Sequence, residues 1–131
     1  MKVGSVLDYA YLWRRQADAG EESGRKERPV CLALTLGTDP DNQQLFLFPI
    51  TSQAPTPGRA AIAITQIECR RGGLYHPAWL ILDEFNRCVA HAAYDLANTT
   101  PRGSFSASFM RTVVERIAQL RRRGEVRGFS R

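Results

Sequence analysis

Short apolar runs separated by turn-forming residues are the feature that most constrains the fold of this chain. The runs are rich in β-branched and aromatic residues and are bounded by Gly, Pro, Asp, Asn and Ser, which is the pattern of β-strands. We predict strands at residues 3–13, 29–36, 44–51, 60–67 and 79–82. Residues 88–93 fit either a strand or a helical turn. Because helices do not alternate with these strands, a doubly wound parallel sheet is not expected.

One segment near the C-terminus has a helical period instead. Between residues 106 and 123 the apolar side chains recur at helical spacing, at Phe109, Val113, Ile117 and Leu120. Ser104 or Ser106 can cap the start of this helix, and Gly124 can end it. We therefore predict an amphipathic helix at residues 106–123 that packs on the sheet, followed by a basic tail at residues 124–131.

Together these elements predict a fold that is mainly β with a C-terminal α-helix. Short strands followed by one helix are typical of a small antiparallel barrel, or of a strongly curled sheet, that packs against the helix. A length of 131 residues suits one domain, so we expect residues 1–131 to fold together. Residues 14–28 are predicted to form a long polar loop. Pro49 indicates an edge position or a bulge in its strand.

The net charge of +5 is concentrated at the C-terminal end. Seven arginines and two glutamates follow residue 110, whereas residues 1–109 contain equal numbers of acidic and basic residues. These arginines are Arg111, Arg116, Arg121, Arg122, Arg123, Arg127 and Arg131. They form either a solvated helix face with a basic tail or a patch for phosphate backbones or an acidic partner, and charge alone leaves both interpretations open.

The cysteines and the apolar runs indicate the compartment. Cys31, Cys69 and Cys88 are odd in number and show no CxxC spacing, so we expect reduced thiols, with Cys31 and Cys88 buried. The apolar runs are far shorter than the roughly 20 residues that cross a bilayer. We therefore expect a cytoplasmic protein with no membrane partner.

Most sequence signatures of catalytic or cofactor sites are missing. The chain contains no GxGxxG, P-loop, HExxH or GxSxG motif and no zinc-ligand spacing. His76 and His91 lie far apart in the sequence, and neither has a cluster of possible partners. We therefore predict neither a metal nor a cofactor, and hydrolysis by a nucleophile–His–acid set is weakly supported.

Polar residues at the ends of the predicted strands offer another chemistry. Arg28 precedes Pro29, which favours an extended backbone at the arginine. Thr51 and Ser52 end the third strand, and Asp83 and Glu84 follow the fifth. Cleavage of RNA by its own 2′-hydroxyl needs a proton acceptor, a cation at the phosphate and an acid for the leaving oxygen. Arginine suits the phosphate because it can donate to two oxygens at once. The alternative is that these residues only solvate turns.

Four segments carry a resemblance to the PemK/MazF family of toxin endoribonucleases: GSVLDYAYLW, GRKERPVCLAL, FLFPITSQAP and WLILDEFN. The resemblance extends roughly from Val3 to Leu120. It implies an SH3-like barrel and a homodimer that cleaves single-stranded RNA without a metal, as the toxin of a type II toxin–antitoxin system. It also implies an antitoxin whose tail covers the active groove.

The resemblance also assigns roles to individual residues. It implies that Arg28, Thr51 and Asp83 are catalytic, and the expected substrate-binding residues are Lys26, Ser52, Glu84 and Arg59. Some family members carry a second arginine just before the acid, where this chain has Ile81 and Leu82. The general acid therefore has no assigned residue. Two alternatives stay open: a catalytically silent barrel that binds RNA or a protein, and a DNA-binding toxin directed at gyrase.

Overall fold

The computed structural model describes residues 2–18, 27–90 and 100–130. The predictions made for Lys26, His91 and residues 91–93 lie outside these residues. The elements in chain order are β1 (Ser5–Tyr9), α1 (Arg14–Asp18), β2 (Arg28–Leu36), β3 (Gln44–Thr51), β4 (Ala61–Ile64), α2 (Gln66–Arg71), β5 (Ala78–Ile81), β6 (Glu84–Val89), β7 (Gly103–Ser104), α3 (Ala107–Arg122) and β8 (Arg127–Ser130). Among the described residues, no helix is long and apolar enough to span a bilayer.

The strands form a curled, mainly antiparallel sheet, as the sequence predicts. Its main order is β4-β5-β3-β2-β1-β7, and β6 joins it through β3. Along one edge β3 pairs with β2; along the other, its first half pairs with β6 and its last two residues pair with β5. The sheet therefore divides at β3 and closes half of a barrel. The narrower assignment to the PemK/MazF type stays a prediction.

Pro49 lies where β3 changes partner. The pairs with β6 end at Leu47, and the pairs with β5 begin at Ile50. The prediction of an edge position is wrong for the strand as a whole, because β3 is an interior strand. However, on the edge of β3 that pairs with β6 and β5, none of the described strands pairs with Pro49 itself. The missing amide hydrogen of proline is tolerated at such a position.

The last residues of the chain do not form a frayed tail. Residues Arg127–Ser130 form β8, which pairs in parallel with β6, and the amide of Arg127 donates to the carbonyl of Asp83 at 3.0 Å. The prediction of an antiparallel sheet followed by a final helix is therefore wrong at this point, because a parallel strand follows the helix. A parallel partner from the far end of the chain gives no local sequence signal.

Two short helices replace parts of predicted strands and loops. The strand predicted at residues 60–67 ends at Ile64, and Thr65 then caps α2 by accepting a hydrogen bond from the amide of Glu68 at 3.3 Å. The strand predicted at residues 3–13 stops at Tyr9, and the predicted polar loop begins with α1. Of the ambiguous segment at residues 88–93, Cys88 and Val89 belong to β6, which starts as early as Glu84 and ends at Val89.

Helix α3 confirms the predicted amphipathic helix. The hydroxyl of Ser106 accepts a hydrogen bond from the amide of Phe109 at 3.2 Å and caps the first turn. Three side chains on one face are buried in the core: Met110, Val113 and Ile117. Phe109 and Leu120, which the sequence places on the same face, are partly buried against that core.

Both faces of the central strands are buried. Neighbouring residues of β1 and β2 fall into opposite apolar clusters, with Val6 and Cys31 on the α3 side and Leu7 and Leu32 on the other. The segment after β1 covers this second face, because Tyr11 and Trp13 belong to its cluster. All three cysteines are buried free thiols, which confirms the burial predicted for Cys31 and Cys88. Burial raises the pKa of Cys31 to about 12.

Candidate functional site

An open groove of about 750 Å³ lies where the start of β2 meets the end of β3. It brings together four residues that the sequence assigns to the site: Arg28, Thr51, Ser52 and Arg59. It also contains Trp13, Arg15 and Tyr75, which the sequence did not single out. Residues from five separate parts of the chain therefore share one surface, to which strand ends, turns and helix α1 contribute.

A pair of stacked guanidinium groups lies on one side of this groove. The Cζ atom of Arg28 is 4.8 Å from the centre of the Trp13 ring, and that of Arg15 is 5.6 Å away. The indole attracts both cations. Within residues 2–18, 27–90 and 100–130, neither guanidinium forms an ion pair. Partial burial, followed by the nearby charge of Arg15, lowers the pKa of Arg28, yet an arginine remains protonated at any physiological pH.

The hydroxyl groups of the β3 end face the same groove. The amide of Gln53 donates to the hydroxyl of Thr51 at 3.2 Å, which forms a tight turn directly after the strand. The hydroxyl of Thr51 is 3.5 Å from the carbonyl of Gln53, which is long for a hydrogen bond, so its proton can turn to a ligand. Ser52 is exposed beside it.

Asp83 lies behind the groove rather than in it. It lines an adjoining cavity of about 330 Å³ that shares Trp13, Arg15 and Arg59 with the groove. The carboxylate of Asp83 accepts two hydrogen bonds from Arg59, at 2.7 Å to Nη2 and 3.0 Å to Nε. The amide of Ala60 donates to it at 3.2 Å. The hydrogen bonds between Arg59 and Asp83 are the largest of the causes that raise the pKa of Arg59.

Glu84 is a buried carboxylate with three donors. Its side chain lies beneath Arg59, and the residue is only 2% exposed. It accepts hydrogen bonds from the hydroxyl of Tyr11 at 3.1 Å, from the amide of Arg14 at 3.2 Å and from Nη2 of Arg59 at 3.2 Å. Burial raises the pKa of Glu84, and the Arg14 amide and Arg59 oppose that shift. Burial, followed by the charge of Glu84, raises the pKa of Tyr11. The burial favours a positioning role over contact with substrate.

Asn86 fixes the segment that carries Trp13. Its side-chain oxygen accepts from the amide of Leu12 at 2.8 Å, and its side-chain nitrogen donates to the carbonyl of Leu12 at 2.9 Å. The side chain thus satisfies the backbone of Leu12 as a neighbouring strand would. The sequence gives no sign of this role, because the buried positions of β6 are Glu84, Asn86 and Cys88, whereas the apolar Phe85 and Val89 alternate with them.

The groove contains one acidic residue among the described part of the chain, Glu27, directly before Arg28. Arg102 also lines the groove and pairs with Asp8 at 3.3 Å. Arg121, Arg122 and Arg123 line neither this groove nor the adjoining cavity. In residues 2–18, 27–90 and 100–130 there is no cluster of three or more His, Cys, Asp or Glu side chains placed to hold a metal ion.

Comparisons with known proteins do not assign a family. No model of a protein family matches the chain, and no curated protein shows significant sequence similarity to it. The resemblance to the PemK/MazF family therefore rests on its four sequence segments, and membership stays a prediction.

Proposed function

We propose that this protein is a metal-independent endoribonuclease that cleaves single-stranded RNA, as the toxin of a type II toxin–antitoxin pair. The observation that carries the proposal is the Arg15–Trp13–Arg28 stack beside Thr51 in one open groove. Two guanidinium groups that have no carboxylate partner among the described residues are suited to a phosphodiester, because each can donate to two phosphate oxygens. The homodimer and the antitoxin partner belong to the same proposal and are supported by the sequence resemblance alone.

In the proposed reaction the 2′-hydroxyl of the RNA attacks the adjacent phosphorus. The 2′-oxygen–phosphorus bond forms while the bond from phosphorus to the 5′-oxygen breaks, which gives a 2′,3′-cyclic phosphate and a 5′-hydroxyl end. Arg15 and Arg28 hold the charge that develops on the phosphoryl oxygens, and the hydroxyl of Thr51 donates to the same group. Glu27 accepts the proton of the 2′-hydroxyl, and water protonates the leaving oxygen.

The assignment of Glu27 follows from the position of Asp83. Both carboxylate oxygens of Asp83 already accept hydrogen bonds from Arg59, so this acid is poorly available as a base. Asp83 instead orients Arg59, whose side chain lines the groove. In this proposal Asp83 therefore positions Arg59 and does not act as the base, which replaces the catalytic role predicted from the sequence.

Incubation of purified protein with end-labelled single-stranded RNA in excess EDTA tests this function. We expect cleavage, with cyclic-phosphate ends on the products. Arg28→Ala should lower the rate at least about 100-fold, as losses of charge-stabilising groups do, and Glu27→Gln should lower it by about the same factor. Arg116→Ala is the matched control, because Arg116 is an exposed arginine on α3 outside the groove. Intact RNA at protein excess, with the fold retained, would refute the proposal.

A second candidate is an RNA-binding barrel without catalytic activity. The paired state of Asp83 favours it, since no acid outside the exposed Glu27 faces the groove among the described residues. This candidate predicts RNA binding that depends on Arg28 but gives no cleavage products over long incubation.

A further inference from the structure

Tyr75 stands at the groove with its ring almost fully in solvent. It is 90% exposed, whereas Tyr9 and Tyr11 are buried. The other exposed large apolar side chains of the described residues are Val3, Leu36 and Ile67. Single exposed apolar residues are common and need no explanation. Tyr75 differs from the other three because it lines the groove that contains Arg28 and Thr51.

The backbone directly before Tyr75 is anchored at two points. The amide of Leu74 donates to the carbonyl of Cys69 at 2.8 Å, and the Leu74 side chain packs against the main core. Gly73 has a φ of 67°, and a Cβ at this position would be 2.6 Å from the carbonyl oxygen of Arg102. This close approach ties the end of α2 to the segment before β7. The ring is therefore presented by a fixed loop, which limits the entropy that a stacked ligand would cost.

We propose that Tyr75 forms a base-stacking subsite, where an unpaired nucleobase lies on the phenol ring while a neighbouring phosphate binds Arg15 and Arg28. This inference rests on the proposed function. It assigns a binding site to the base of the nucleotide, whereas Arg15 and Arg28 bind the phosphate. Single-strand binding proteins combine a cationic groove with aromatic faces in this way. In a duplex the faces of the bases are already stacked, so the subsite selects single-stranded RNA.

The remainder of the groove favours a nucleotide over a peptide. Its lining contains several hydroxyl and amide groups together with four arginines, at Arg15, Arg28, Arg59 and Arg102. A peptide bound by burial would require a continuous apolar floor. The accessible aromatic face is instead a single ring among polar groups, which suits a flat base with hydrogen-bonding edges.

Fluorescence anisotropy with a labelled 2′-O-methyl oligoribonucleotide tests the subsite, because this probe cannot be cleaved. Tyr75→Ala should weaken binding by roughly 5- to 150-fold, the range for loss of one base–aromatic stack. Tyr75→Phe should bind as tightly as the wild type. Ile67→Ala, which removes an exposed apolar side chain outside the groove, is the control and should leave the affinity unchanged. For a matched abasic oligonucleotide, Tyr75→Ala and the wild type should bind equally.

The outcomes separate the subsite from the proposed function. Arg28-dependent binding that Tyr75→Ala leaves unchanged would overturn the subsite alone. Equal weakening by Tyr75→Ala and Tyr75→Phe, or weakening of abasic binding, would overturn stacking because the hydroxyl or the loop would then be responsible. Failure of the wild-type protein to bind any of these oligonucleotides would overturn both.

Discussion

Arg28 and Arg59 line the same groove but are held in opposite ways. Arg28 is stacked on Trp13 beside another arginine and forms no ion pair among the described residues. Arg59 donates to Asp83 and to the buried carboxylate of Glu84. The first guanidinium has its hydrogen-bonding capacity available for a ligand, whereas the second uses much of it within the protein.

Arg28 is therefore suited to bind a ligand, whereas Arg59 has a structural role, although both side chains line the same groove. Arg59 neutralises two acids, one of them buried, so its charge stabilises the fold. The stacked pair gains only the attraction of an aromatic face, and two like charges side by side favour an anion between them.

Replacing each arginine with methionine should change stability very differently. Arg59→Met leaves Asp83 and the buried Glu84 without their cation, so we expect a loss of about 3 kcal/mol in the free energy of unfolding. Arg28→Met loses a cation–π contact and should cost less than about 1 kcal/mol. Urea denaturation of both variants measures these values. Equal losses in the free energy of unfolding of the two variants would contradict the different roles of Arg28 and Arg59.

Asn86→Ala should destabilise the protein by about 2 kcal/mol, because it leaves the backbone N–H and C=O of Leu12 without their partner. The same change should loosen Trp13 and therefore weaken RNA binding. Asn42→Ala, at an exposed turn, is the control for the loss of an asparagine. A fully stable Asn86→Ala variant would show that the segment after β1 is held by its apolar contacts alone.

Glu84 should make stability depend on pH in a defined direction. Burial raises its pKa, so the native state binds a proton more tightly than the unfolded chain does. This contribution is fully present below about pH 4.5, the ordinary pKa of a glutamate, and is lost as the pH rises through the native-state pKa. The stability of the wild type relative to Glu84→Gln should therefore fall over that window. Denaturation at a series of pH values tests this, and a constant difference would contradict it.

The arginines at the end of α3 should contribute least. Replacing Arg121, Arg122 and Arg123 together with glutamine should leave the salt dependence of RNA binding unchanged, because they line neither cavity. Arg28→Met should instead lower the slope of log affinity against log salt by about one. Substitution is preferable to truncation, since a truncation would remove β8 from β6. A reduced slope in the triple variant would indicate a second contact surface.

The sequence predicts those elements whose signals are local. The alternating runs of β2 and β3 and the helical period of α3 were recognised because a few neighbouring residues define each of them. Helix α2 was missed because it is only six residues long and because Gln66 and Ile67 extend the alternation of the preceding strand. Strand β8 was missed because its partner lies about forty positions earlier, at Glu84–Arg87.

The same distinction between local and long-range sequence signals applies to the site. Arg28, Thr51 and Ser52 line one groove, and each lies at or next to the end of a strand that the sequence predicts. The sequence predicts that Glu84 binds substrate, because it is an acidic residue that directly follows an apolar run. It is buried instead because Tyr11 and Arg59, which lie 73 and 25 positions away in the sequence, supply its donors. No pattern within the DEFN segment contains that information.

The stacking of two arginines on Trp13 also gives the protein a built-in optical reporter. The emission of an indole depends on the charges next to its ring, so an anion that draws either guanidinium away should change the fluorescence of the unlabelled protein. The chain contains one other tryptophan, Trp79, and Trp79→Phe would leave a single emitter. Ligands could then be ranked by titration without any attached dye.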